Sequence, residues 1–248
     1  MRDDPIVIAG MARTPIGAFQ GSLSSIPAPK IGGIAIKEAI NRAGLNPEEI
    51  DDVIMGLCLF AGLKQAPARQ ASHNAGIPWE AGCTTLSKMC GSGMKAIMVA
   101  HDNILSGSHK IMIAGGMESM SNAPYLLQKA RSGYRLGHGN DLLDHMFIDG
   151  LEDAYEDGKL MGSFAENTAE HYQFTREAQD SYAIESLNRS IRASQDNTFN
   201  EEIVSVQIKT RKEDRLVTQD EQPQIADIEK IPLLKPAFQK DGTVTPAN

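Results

Sequence analysis

The sequence predicts an α/β protein: a parallel sheet layered with helices and interrupted by one large insertion. Three observations predict it. Short β-branched or apolar runs alternate with helix-spaced apolar stretches over residues 1–118, the order that builds a doubly wound layer. Glycines stand where most of these runs should end. Beyond residue 118 the periodicity weakens and Gly, Asn, Asp and Tyr accumulate, the mark of a long connection with a function of its own.

The elements follow in chain order. Residues 6–9 read as a buried strand ending at Gly10. Over 30–43, Ile31, Ile34, Ala35, Ala39 and Ala43 keep close to helical spacing, with Gly44 as the C-cap. A turn with acidic residues, NPEEIDD, leads to a second strand at 53–59. A helix over 65–75 is stopped by Gly76 and Pro78, and 84–86 is a short strand. The longest apolar helix spans 92–106, through Met94, Ile97, Met98, Val99, Ile104 and Leu105, and stops at Gly107. A last strand, 110–114, runs into Gly115-Gly116. Within the insertion, 163–193 reads as one helical block and 201–209 as a strand. The tail carries Pro223, Pro232, Pro236 and Pro246. The expected organisation is a core domain over 1–118 and an insertion over 119–248 packed on it.

Composition narrows the class of partner. Of 248 residues, 41% are hydrophobic and 23% charged, as in ordinary globular proteins. The net charge of −8 argues against a nucleic-acid partner, which calls for a basic face. No stretch approaches the roughly 18 apolar residues of a membrane helix, and the start, MRDDP, does not resemble a secretory signal. The three cysteines, Cys58, Cys83 and Cys90, include no CxxC pair and leave an odd number. That favours free thiols in a reducing cytoplasm over a disulfide framework.

One of the three stands apart. Cys90 lies in a glycine-rich turn between the short strand and the long apolar helix. A helix N-terminus presents unpaired N–H groups and the positive end of its dipole. Both favour thiolate, so Cys90 is expected to have a depressed pKa and to act as a nucleophile. Gly91 and Gly93 leave room beside the sulfur for a substrate carbonyl. Cys58 and Cys83, in apolar company, read as buried and inert. The segment GSGMKA (91–96) also fits a dinucleotide-binding glycine pattern. That fingerprint needs an acidic residue about 20 positions further on; here the following strand ends in Gly115-Gly116, so a nucleotide-dependent oxidoreductase is disfavoured.

Five blocks in order resemble the thiolase family: ARTPIGAFQG (12–21), SKMCGSGMKA (87–96), AGGMESMSNAP (114–124), MGSFAEN (161–167) and KPAFQKDGTVTPAN (235–248). Within it the acetyl-CoA acetyltransferase branch is the near match. The resemblance implies a thiolase-like layered α/β fold, present as its N-terminal core half with an inserted loop domain that covers coenzyme A. It implies that Cys90 takes an acyl group from one coenzyme A thioester, and that a second acetyl-CoA attacks the acyl-enzyme to give acetoacetyl-CoA. Thiolysis is the reverse. The Cys90 N–H would serve as one oxyanion donor. Leu151 in GLEDA, Met161 in LMG and Phe238 in KPAF match substrate-binding positions along the acyl chain and pantetheine. No metal or separate cofactor is implied, since coenzyme A thioesters are themselves the substrates. A homodimer or homotetramer is implied.

The chain departs from the family pattern in two places. Many short-chain thiolases carry His-Met-Gly where Leu160-Met161-Gly162 stand here. The family also draws on a Gly-His-Pro histidine, a second cysteine in Cys-x-Gly-Gly and an asparagine in Asn-Glu-Ala, and none of these motifs occurs in the 248 residues. The sequence therefore reads as a truncated thiolase, or half of one, with incomplete catalytic machinery. Alternatives are a decarboxylating ketoacyl synthase, which shares the cysteine-on-helix architecture, and a non-catalytic acyl-CoA-binding or oligomerisation module. A basic cluster, Lys209, Arg211, Lys212 and Arg215, reads as a solvated hairpin, although cations also suit coenzyme A phosphates. His101 and His109 read as surface or helix-end residues.

Overall fold

The computed structural model describes residues 5–134, 136–137, 142–210 and 213–248. The chain divides into two compact units, Met1–Tyr125 with Asn200–Gln219, and Leu126–Phe199 with Asp220–Asn248.

In the first unit, helix α1 (Ala28–Ala43) is followed by strand β1 (Asp52–Gly56), helix α2 (Pro67–Asn74), strand β2 (Gly82–Leu86), helix α3 (Ser92–Leu105) and strand β3 (Met112–Gly116). The strands form a parallel sheet in the order β2-β1-β3, with Val53 opposite Cys83 and Ile113, and Gly56 opposite Leu86 and Gly116. Parallel neighbours need long crossovers, and α2 and α3 supply them. After Asp52 the central strand is apolar, as a strand covered on both faces is expected to be: Val53, Ile54 and Met55 are buried. Around it Ile36, Ile40, Ile50, Leu57, Ala68, Ala71 and Ile77 form the main core.

The strand expected at 6–9 is not formed. Val7 is 71% and Ile8 80% exposed, and among the described residues the backbone there pairs with no strand. β-branched residues favour extended backbone, but a strand exists only where a neighbour completes its hydrogen bonds. Pairing begins later, where Arg13 bridges Ile203, with Arg13 N–H donating to the Glu202 carbonyl at 2.9 Å. Arg42 fixes this junction by donating to the carbonyls of Met11, Glu201 and Ile203.

The second unit opens with a two-stranded sheet of β4 (Tyr125–Leu127) and β5 (Leu142–Asp144). The short helix α4 (His145–Ile148) follows, its N-terminus capped by Asp144. The helical block expected over 163–193 is two helices, α5 (Met161–His171) and α6 (Arg176–Gln195). Gln173 breaks it with a positive φ of 56°, and Thr175 Oγ1 then caps α6 by accepting from Ala178 N–H.

The strand expected at 201–209 shortens to β6 (Val206–Ile208), antiparallel to β7 (Arg215–Val217). This hairpin groups with the first unit because Val206 and Ile208 pack with Leu23, Ile26, Ile31 and Ile34. Arg215 sits at its end opposite Ile208; of the basic cluster, Arg211 and Lys212 lie outside the described residues.

In the second unit the tail is bound by polar contacts. Arg176 donates to the carbonyls of Ile231 and Leu234, and Asn248 Nδ2 donates to Asp180 Oδ1 at 2.6 Å. Glu166, buried on α5, accepts from the N–H groups of Thr243 and Val244. Among the described residues no helix is long and apolar enough to cross a membrane, and no group of three metal-binding side chains is gathered.

Candidate active site

The site in the first unit is made by the way β2 hands over to α3. Leaving β2 at Leu86, the chain makes a tight turn in which Met89 adopts a positive φ of 47°. For a residue with a Cβ this left-handed conformation costs about 1–2 kcal/mol, and it persists only where its surroundings hold it. Cys90 follows directly. It is exposed, and Gly91, with no side chain to cap it, sits at the N-cap of α3. The first N–H groups of that helix have no intrahelical acceptor. Cys90 is therefore open to solvent at the positive end of a 14-residue helix.

Close backbone approach seats this helix. A Cβ on Gly56, at the end of β1, would overlap the Ser92 carbonyl carbon and the Gly93 nitrogen. A Cβ on Gly116, at the end of β3, would lie 3.2 Å from the Gly93 Cα. The small residues at the ends of two strands thus let α3 start almost on top of the sheet.

Two residues at the site carry roles that the sequence did not suggest. Ser92, inside the CGSG motif, is buried, and its hydroxyl lies 2.8 Å from Lys88 N and 2.5 Å from Met89 O. Glu118, inside GGMES, accepts from Cys58 N–H at 2.8 Å and Leu59 N–H at 3.3 Å. Both residues stand in the motifs CGSG and GGMES, but only the fold brings their partners, 3 to 60 positions away, alongside them.

Cys58 and Cys83 are half-buried rather than buried. Burial pushes the Cys58 thiol above its usual range, and the Glu118 carboxylate adds to this. The thiolate form of Cys58 is disfavoured there. His101 is on the surface beside Asp102, and His109 Nε2 is 3.4 Å from Asp52 Oδ2. An unexpected buried imidazole is His145, whose Nδ1 lies 2.6 Å from Asp149 Oδ2.

Leu151, Met161 and Phe238 all belong to the second unit, and the fold gathers them. Met161 N–H donates to the Leu151 carbonyl at 3.0 Å, and Leu160 bridges Glu152. The Phe238 ring lies against Gly162, occupying the space a Cβ there would take. Met161 is 46% and Phe238 37% exposed. Lys159 Nζ pairs with Glu156 at 2.8 Å and sits 4.3 Å above the Phe164 ring.

The first unit is a parallel α/β layer that presents an exposed cysteine at the head of a helix, through a strained strand-to-helix turn. Comparison with known proteins narrows the class. Residues 6–248 match the family described as Thiolase, N-terminal domain, and the chain belongs to the thiolase family. It is 46% identical over 245 residues to an acetyl-CoA acetyltransferase of Cupriavidus necator, covering 98% of this chain and 62% of that protein. It is 48% identical over 246 residues to the mitochondrial acetyl-CoA acetyltransferase of Bos taurus, covering 98% and 57%. A solved acetyl-CoA acetyltransferase of Syntrophomonas wolfei superposes with a TM-score of 0.89 at 42% identity, covering 96% of this chain and 60% of that one. The chain thus spans about three fifths of the length of these relatives, and its fold is the expected thiolase-type α/β fold.

Proposed function

We propose that this chain is the nucleophile-bearing portion of a thiolase-type acyltransferase, joining two acetyl-CoA molecules into acetoacetyl-CoA or running the reverse thiolysis. The observation that carries the reading is the exposed Cys90 at the head of α3, in a chain of the thiolase family. Cys90 Sγ attacks the thioester carbonyl of the first acyl-CoA. The tetrahedral oxyanion is met by the Cys90 N–H. Collapse breaks the thioester C–S bond, the proton given up by the Cys90 thiol passes to the departing coenzyme A sulfur, and the acetyl group stays on Cys90. A second acetyl-CoA then gives an α-proton to a base that the family supplies from its second-cysteine motif, which these 248 residues do not contain; the carbanion attacks the acyl-enzyme carbonyl, and collapse releases the Cys90 thiolate, which takes up that proton. By resemblance to the family, Leu151, Met161 and Phe238 bind the acyl chain and pantetheine as part of the coenzyme A-binding loop domain expected over 119–248, of which 200–219 group with the first unit. Leu160 offers no polar side chain to a thioester at its position, so it bears on which acyl chains are accepted. Cytoplasmic residence, supported by the three free cysteines, and a homodimeric or homotetrameric state, supported by family resemblance, complete the proposal.

The test is transfer of an acetyl group from acetyl-CoA to the 248-residue chain, mapped by peptide mass spectrometry. One acetyl group on Cys90, lost in Cys90→Ala, is expected. Acetylation spread evenly over Cys58, Cys83 and Cys90 would refute the assignment. Supplying malonyl-CoA separates a decarboxylating ketoacyl synthase, which would consume it. Full thiolytic turnover by the chain alone is not expected, because it lacks the histidine, second-cysteine and asparagine motifs of the family.

A further inference from the structure

We propose that Ser92 is a positioning residue for Cys90: its buried hydroxyl holds the 88–90 turn that places the sulfur at the head of α3. This deepens the acyltransfer reading and rests on it. The argument is one of hydrogen-bond valence. A serine hydroxyl has one proton to give and two lone pairs to receive with. The proton goes to Met89 O at 2.5 Å. One lone pair accepts from Lys88 N–H at 2.8 Å. The remaining neighbour, Cys58 Sγ at 3.9 Å, must then be the donor, and burial of that thiol keeps its proton in place for the purpose.

The two backbone groups that Ser92 ties together flank the left-handed Met89. Its hydroxyl thus bonds both sides of the strained peptide segment immediately before the nucleophile. Two further bonds brace the same turn, Gly91 N–H to Lys88 O at 3.1 Å and Ser92 N–H to Met89 O at 3.0 Å, but neither satisfies Lys88 N–H. Without the hydroxyl that donor is left unmet and the turn can relax toward ordinary backbone, carrying Cys90 away from the helix end. Cys58 Sγ lies 3.9 Å from the same oxygen. Its own backbone is pinned by Glu118, so the serine oxygen is fixed from both the sheet and the turn.

The experiment follows the rate of iodoacetamide labelling of Cys90 in the full chain at neutral pH, read peptide by peptide against Cys83. Ser92→Ala is expected to slow Cys90 labelling about tenfold, the scale of one lost hydrogen-bonding group, and Ser92→Thr to restore most of it. Ile40→Val, a core change remote from the turn, supplies a destabilised control whose Cys90 labelling should stay within about twofold of the parent. Equal slowing in Ile40→Val and Ser92→Ala, or an unchanged rate in Ser92→Ala, overturns the proposal. If Ser92→Ala does not fold, Ser92→Cys is read in its place, with intermediate slowing expected and an unchanged rate again overturning it. Failure of the acyltransfer reading looks different: Cys90 of the unaltered chain would then label no faster than Cys83.

Discussion

Glu166 is the residue whose replacement should do most damage to the segment around Phe238 while leaving the Cys90 turn alone. Its side chain is 5% exposed, and it anchors the segment that carries Phe238. Oε1 accepts from Val244 N–H at 2.9 Å and Oε2 from Thr243 N–H at 2.9 Å, with Thr243 Oγ1 at 3.3 Å from the same oxygen. Glu166→Ala removes the acceptor from two backbone N–H groups and a hydroxyl. An abandoned buried donor costs about 1–3 kcal/mol. Val244 is buried and bears that cost in full, whereas Thr243 is less enclosed and regains some of it from water, giving a local cost of about 3 kcal/mol. Every 1.4 kcal/mol is a factor of about ten, so amide exchange of the 239–248 segment should quicken roughly a hundredfold. Glu166→Gln keeps one oxygen but sets an N–H₂ against a donor, and should quicken exchange about tenfold. Native-state hydrogen exchange read by mass spectrometry checks both. Protection in Glu166→Ala within about threefold of the parent would refute the reasoning, since it would mean that the carboxylate is not what holds the tail.

Gly162→Ala places a methyl where the Phe238 ring lies, so the ring must swing out; acyl-CoA affinity of the chain, by calorimetry, should fall while Cys90 labelling stays the same. Gly56→Ala pushes against the Ser92 and Gly93 backbone and should cost about 3 kcal/mol of stability by denaturant unfolding, together with slower Cys90 labelling. Asp51 is held below its usual value of 3.8, chiefly by the N–H groups of Ile111 and Lys110. A depressed carboxylate stabilises the fold above the unfolded value and loses that contribution as pH falls through the folded one. The thermal gap between the parent and Asp51→Asn should therefore be complete at neutral pH, shrink once pH drops below 3.8, and close in stronger acid.

Much of the first unit could be read from its residues. The helices over 28–43, 67–74 and 92–105 lie within a few positions of their expected bounds, because helix periodicity, capping and glycine stops are local properties. The strand–turn–helix setting of Cys90 was legible for the same reason. The run at 6–9 misled because β-branched residues signal extended backbone but say nothing about whether a neighbouring strand is there to pair with it. The block at 163–193 misled because Tyr172-Gln173-Phe174 contains neither glycine nor proline, and a left-handed Gln173 leaves no mark in composition.

Local order along the chain by itself determined that a parallel α/β layer forms and that one cysteine of three stands at a helix head, because both follow from spacings of a few residues. The thiolase blocks fixed the family in the same way, through short ordered motifs. Only the tertiary structure decided what surrounds that cysteine: the buried Ser92 hydroxyl, Cys58 and Glu118 arriving from other strand ends, and Gly56 letting the helix settle on the sheet. The meeting of Leu151 and Met161, and of Phe238 with Gly162, was decided there too. These are contacts between residues distant in sequence, and their geometry exists only once hydrophobic burial has brought the elements together.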